Sequence, residues 1–215
     1  SSHLRQSLVD CCSFWLTERA PDGQPKDHQK KQTKEHKKPN QKNTRRLTTR
    51  ALEETQKEFL DFAGNGMSII EDSHRGSSYQ KIQQDALDSF RRLANVPDDF
   101  AILFLQGGAT LQFAQTAMNL LSSDEKAGYV NTGVWGQKAL EDASKVANIY
   151  EAWNGKDKGF TTTPDDNEIE LQQDTKWLHI TSNETIGGIR FGNLPEVDVP
   201  LVADMSSDFL SRKIE

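Results

Sequence analysis

An α/β fold built on a largely parallel sheet is what this sequence predicts, and three observations predict it. Short apolar runs of strand length alternate with segments of helical period along residues 51–215. One apolar run, Phe100–Leu105, passes through Gln106-Gly107-Gly108-Ala109-Thr110 directly into a helical pattern. Polar turns follow Leu105, Asn131, Thr181 and Ala203, where in such sheets the carboxyl ends of strands form ligand crevices.

Charge divides the chain before any element is read. Residues 1–50 hold 12 Lys/Arg against 5 Asp/Glu, and the remainder holds 14 against 27, so a basic segment precedes an acidic one. Between 21 and 50 the largest aliphatic residue is Leu47 and there is no aromatic residue. Such a stretch buries too little surface to offset its ordering entropy, and disorder is expected. Its lysine clusters are able to attract nucleic acid, but no aromatic residue interleaves with them. A solvated tail, or sequence foreign to the folded protein, is the favoured reading. The domains expected are therefore 1–50, a basic tail, and 51–215, the folded part.

The two cysteines, Cys11 and Cys12, are adjacent, so they neither staple a fold nor supply metal-ligand spacing. No apolar run is long enough to span a membrane and no secretory signal pattern opens the sequence, so a cytoplasmic setting is expected.

In order, Leu52, Thr55, Phe59 and Phe62 have helical spacing, and Gly64-Asn65-Gly66 stops that helix. Residues 67–72 read as extended and lead into a polar turn. Tyr79, Ile82, Ala86, Phe90 and Leu93 share one face of a long helix that ends before Pro97. Phe100–Leu105 reads as a buried strand. Leu111, Phe113, Ala114, Ala117, Met118 and Leu121 then mark a helix. Further strands are expected at Tyr129–Thr132, Asn148–Trp153, Lys176–Thr181 and Val199–Asp204, with a helix over Ala139–Ala147. A surface loop covers Asn154–Asp174 and a small hairpin arm Ile186–Phe191.

The strand ends carry the chemistry. Glycines at the start of a helix let an anion approach free N–H groups and the positive end of the helix dipole, so Gly107–Thr110 suits a phosphate. On residue type alone the turn reads equally as a ligand-free connection. Trp135 presents a ring face, Thr185 a hydroxyl and Asp204 a carboxylate. A planar, phosphorylated nitrogen heterocycle needs all four. Taken singly, Trp135 is more often core than stacking surface, and Thr185 and Asp204 cap helices as readily as they touch a ligand.

Six stretches taken together resemble the phosphoserine aminotransferases, pyridoxal-phosphate enzymes of the class V, fold type I group. They are Gly66–Arg75 (GMSIIEDSHR), Phe104–Phe113 (FLQGGATLQF), Met118–Leu121, Tyr129–Trp135 (YVNTGVW), His179–Ile189 (HITSNETIGGI) and Leu201–Ser207 (LVADMSS). They stand in the family's order across about three quarters of the chain. The resemblance implies a three-layer large domain with a mainly parallel sheet, its C-terminal part missing. Gly108, Ala109 and Thr110 would hold the cofactor phosphate and Trp135 would stack on the ring. Thr185 would meet the ring hydroxyl and Asp204 the ring nitrogen. His74 and Arg75 would bind anionic groups of the substrate, an arginine fork suiting carboxylate or phosphate.

Amino transfer between glutamate and 3-phosphohydroxypyruvate is implied, giving phosphoserine for serine biosynthesis, along with a role in pyridoxine synthesis and a homodimeric assembly. Two departures stand against the family pattern. A Phe-Ser-Ala-Gly-Pro stretch does not precede Leu52, and the Schiff-base lysine's Ala-Gln-Lys-Asn context is absent. Lys213, in LSRKIE, does not match it. The expectation is an incomplete chain whose lysine lies beyond Glu215 and which has no transaminase activity alone. The competing readings are another class V aminotransferase, disfavoured by Ser73-His74-Arg75 and Ser182–Thr185, and a non-catalytic remnant whose basic tail binds nucleic acid.

Overall fold

The structure, a computed structural model, describes residues 49–212. Residues 1–48 of the expected tail, with Cys11 and Cys12, and Lys213 lie outside the described residues, and α1 begins at Thr49, inside the expected tail. The chain divides near Ile102–Leu103 into two compact units. Among the described residues, no helix is long and apolar enough to cross a membrane.

The first unit holds two helices. α1 (Thr49–Glu58) buries no residue and ends before Phe59 and Phe62, which the spacing had assigned to it. The glycine pair then turns the chain in left-handed backbone, with φ of 77° at Gly64 and 75° at Gly66. The Asp61 carboxylate accepts the Gly66 amide at 2.8 Å. Residues 67–72, expected to be extended, are instead a run of turns. Ser68 N–H donates to the Glu71 carboxylate at 3.0 Å while its carbonyl accepts from Glu71 N–H, a local closure that outcompetes an unpaired strand. α2 (Ser77–Ala94) ends as expected: Asn95 is left-handed (φ 51°) and its amide bonds back to the Arg91 carbonyl. The Arg91 guanidinium gathers the chain beyond, donating to the carbonyls of Val96, Pro97 and Phe100.

The second unit is the α/β core. Its elements are α3 (Gly108–Leu120), β1 (Lys126–Asn131), α4 (Val134–Ser144), β2 (Asn148–Asn154), β3 (Thr175–Thr181), β4 (Asn183–Glu184), β5 (Ile189–Arg190) and β6 (Leu201–Asp204). Four strands pair in the order β2-β1-β3-β6, every pairing parallel. The short antiparallel hairpin β4–β5 follows β3, in place of the arm expected over Ile186–Phe191. Between β2 and β3 the chain makes two single 3-10 turns, as a surface loop would.

Phe100–Leu105 is not a strand. Leu103 is 68% exposed and Leu105 54%, and no strand among the described residues pairs with the segment. A strand exists through its ladder, and the four-stranded sheet ends at β2 and β6 without reaching this run. The glycine turn and the helix after it form as read.

Alternation along the strands sends side chains to two cores. Val130, Leu178, Ile180, Leu201 and Ala203 point to one face, where Trp153, Phe191 and Met205 cover them. Ala127, Tyr129, Trp177 and Val202 point to the other, under Phe113 and Ala117 of α3 and Ala139 and Ala143 of α4. Two contacts orient α3. The Trp177 indole reaches the Leu120 carbonyl at 3.4 Å, and the Phe113 ring meets His179 edge-on at 6.5 Å. Going from Trp177 to His179 follows β3 forward while going from Leu120 to Phe113 runs α3 backward. The helix is antiparallel to the strand, and its glycine N-terminus lies at the strands' carboxyl end.

Candidate active site

At that carboxyl end the sheet places Asn131, Thr181 and Asp204 side by side, Thr181 and Asp204 being register partners. Asp204 is 9% exposed and its two hydrogen bonds both fall on Oδ1, from the Ser206 amide at 3.0 Å and the Ser206 hydroxyl at 2.5 Å. Oδ2 is thus left to an external donor.

α3 begins at Gly108 behind left-handed Gly107 (φ 97°), and the first intrahelical bond is Leu111 N–H to the Gly107 carbonyl. The amides of Gly108, Ala109 and Thr110 therefore have no acceptor within the helix. A Cβ at Gly107 would lie 2.3 Å from the Leu111 side chain, so this turn needs glycine for both shape and space.

Trp135 sits half-buried in the first turn of α4, and its indole N–H donates to the Thr185 hydroxyl at 3.0 Å. Since Thr185 Oγ1 accepts there, its own hydrogen remains for a ligand oxygen. The sequence marked these two residues separately, fifty positions apart, and the fold joins them. His74 and Arg75 are exposed in the turn before α2, in the first unit. Their backbone is set by the Ser73 hydroxyl, which accepts the Arg75 amide at 3.2 Å.

Three further residues take part in these contacts without being singled out by the sequence. Ser206 is one, inside the Leu201–Ser207 stretch. Glu184 was passed over as one more polar turn residue, yet it is fully buried. Its carboxylate accepts the amides of Trp135 (3.0 Å) and Gly136 (2.7 Å). His179 is a single polar ring in a strand of apolar residues. It is buried, stacked on Tyr129 at 4.5 Å, and its Nδ1 has no hydrogen-bond partner. Burial holds its pKa down at about 4, against the opposing pull of the Asp204 charge. Burial also raises the Tyr129 phenol above its ordinary range. Only the break in apolar alternation at His179 could have flagged it beforehand.

An anion cup, a fixed indole, a donor hydroxyl and a half-free carboxylate thus line one sheet end. A phosphoserine aminotransferase of Dichelobacter nodosus is 44% identical over 163 residues, 76% of this chain and 46% of that protein. The solved phosphoserine aminotransferase of Bacillus circulans subsp. alkalophilus superposes with a TM-score of 0.75 at 42% identity, covering 79% of this chain and 47% of its own. The pyridoxal-phosphate-bound enzyme of Trichomonas vaginalis superposes at 0.71 and 34% identity, with 78% and 47% covered. The chain spans about half the length of the relatives it matches. The family described as aminotransferase class-V matches residues 41–215, and with its glycine turn, parallel sheet and terminal aspartate the chain belongs to that family.

Proposed function

We propose that these residues form the cofactor-binding part of a phosphoserine aminotransferase, moving an amino group between glutamate and 3-phosphohydroxypyruvate with pyridoxal 5'-phosphate. The observation that carries this reading is Asp204, buried beside Thr181 with Oδ2 free of hydrogen bonds. The residues fit the group chemically. The amides of Gly108, Ala109 and Thr110 take a phosphate without needing a counter-charge from a side chain. The Trp135 face covers a ring, the Thr185 hydroxyl donates to a ring oxygen, and Asp204 holds a proton on a ring nitrogen. When bound, the cofactor supplies an electron sink for the transfer.

His74 and Arg75 are proposed to bind the substrate's carboxylate or phosphate. The contacts proposed for these residues are hydrogen bonds, a charge pairing and ring stacking. The division into a basic tail, 1–50, and 51–215 as the N-terminal part and most of the cofactor-binding large domain, the homodimer and the cytoplasmic setting belong to the same proposal. Titration of the full chain with pyridoxal phosphate, read by tryptophan fluorescence and by cofactor absorbance retained after gel filtration, tests it. Saturable binding that inorganic phosphate weakens is expected, and absence of saturable binding overturns the reading.

A further inference from the structure

We propose that Glu184 is a positioning residue, its buried carboxylate clamping the first turn of α4 to the β4–β5 hairpin and so setting the Trp135 indole against the Thr185 hydroxyl. The inference rests on reading Trp135 and Thr185 as cofactor contacts.

A helix N-terminus carries unsatisfied amides, which a serine, threonine or aspartate at the N-cap ordinarily satisfies. α4 lacks such a residue, since its N-cap is Gly133 and no side-chain bond is made there. Glu184 answers from 48 and 49 residues away, with Oε1 on the Gly136 amide at 2.7 Å and Oε2 on the Trp135 amide at 3.0 Å. Thr132 Oγ1 adds a longer contact at 3.5 Å. The carboxylate thus faces the positive end of the helix in a fully buried position.

The surroundings are cleared for it. A Cβ at Gly133 would stand 2.9 Å from Glu184 Cδ, and one at Gly136 would stand 3.3 Å from Oε1 and 3.2 Å from the Val130 carbonyl. A local cap would have stabilised α4 alone. A remote one also ties α4 to the hairpin that carries Thr185.

The hairpin needs that tie. Residues 185–188 are exposed, and the turn closes through the Gly188 amide on the Glu184 carbonyl at 2.7 Å. Asn183 is held on the other side by the Ser207 hydroxyl at 2.9 Å. Between these two anchors Thr185 meets the indole of the same helical turn whose amide Glu184 holds.

The test uses the full chain labelled with 15N. Its four tryptophans give distinguishable indole N–H signals, and W135F identifies the one of interest. Glu184→Gln and Glu184→Ala are compared with Asp142→Asn, which alters only the ion pairs of Asp142 with Lys138 and Lys145, away from the first turn of the same helix. The Trp135 indole signal should move in both Glu184 variants and its solvent exchange should rise about tenfold, the scale of one lost hydrogen bond. Affinity for pyridoxal phosphate should fall about tenfold in parallel, with Asp142→Asn unchanged in both. Should Glu184→Ala fail to fold, the isosteric Gln variant carries the comparison.

An unmoved Trp135 indole in a folded Glu184 variant overturns the inference, as does undiminished cofactor affinity where the wild-type chain binds. A wild-type chain that binds no pyridoxal phosphate while its indole signal responds to Glu184 overturns the proposed function instead. The clamp itself then stands.

Discussion

Acidification should destabilise the folded chain through His179. The folded imidazole is buried between Tyr129 and Phe113 and is held neutral down to about pH 4, whereas a free imidazole takes its proton near 6.5. Between those values the unfolded chain binds the extra proton, so stability rises with pH there and is lost as pH falls from about 6.5 towards 4. The loss reaches about 2 kcal/mol at pH 5 and about 3 kcal/mol once the folded ring also titrates. Below that point this residue contributes no further change.

Glu125, Asp142 and Glu168 have carboxyl groups held below the ordinary range, Glu125 first by the Ser122 amide and the other two first by lysine hydrogen bonds. Their contribution is present above the ordinary carboxyl range and is lost as pH falls through it, so the upper part of the window reads mainly the histidine. Guanidinium unfolding followed by tryptophan fluorescence at about pH 7 and about pH 5 reads the difference. In His179→Phe, which keeps an aromatic ring against Tyr129, the loss between those two pH values should disappear. Stability at neutral pH should hold or rise, because the unpartnered Nδ1 is gone. An equal loss in wild type and His179→Phe would refute the reasoning.

Two further outcomes follow from single contacts. Gly107→Ala forces left-handed backbone on alanine and sets its Cβ 2.3 Å from Leu111, so a destabilisation of roughly 1–3 kcal/mol is expected in thermal melts, with weaker phosphate competition for the cofactor. Asp204→Asn keeps an acceptor for Ser206 but removes the charge proposed to hold the ring nitrogen's proton. Cofactor affinity should drop about tenfold or more while the melting temperature changes little.

The sequence by itself determined the α/β class, because the periods of 2 and 3.6 are written in residues such as Tyr129–Asn131 and Leu111–Leu121. It also marked Gly107, Gly108, Trp135, Thr185 and Asp204, since each has side-chain chemistry, or in glycine's case conformational freedom, that is legible at its own position. Only the tertiary structure decided what depends on partners far along the chain. Phe100–Leu105 is as apolar as a strand but joins no ladder among the described residues, and pairing is not a property of the run itself. Glu184 looks like a solvated turn carboxylate until α4 brings two amides to it. His179 reads as a lone interruption until burial between two aromatic rings fixes its charge state. The charge and hydrogen-bonding roles of both come from neighbours roughly 50 or more residues away, or from desolvation, and no local pattern encodes either.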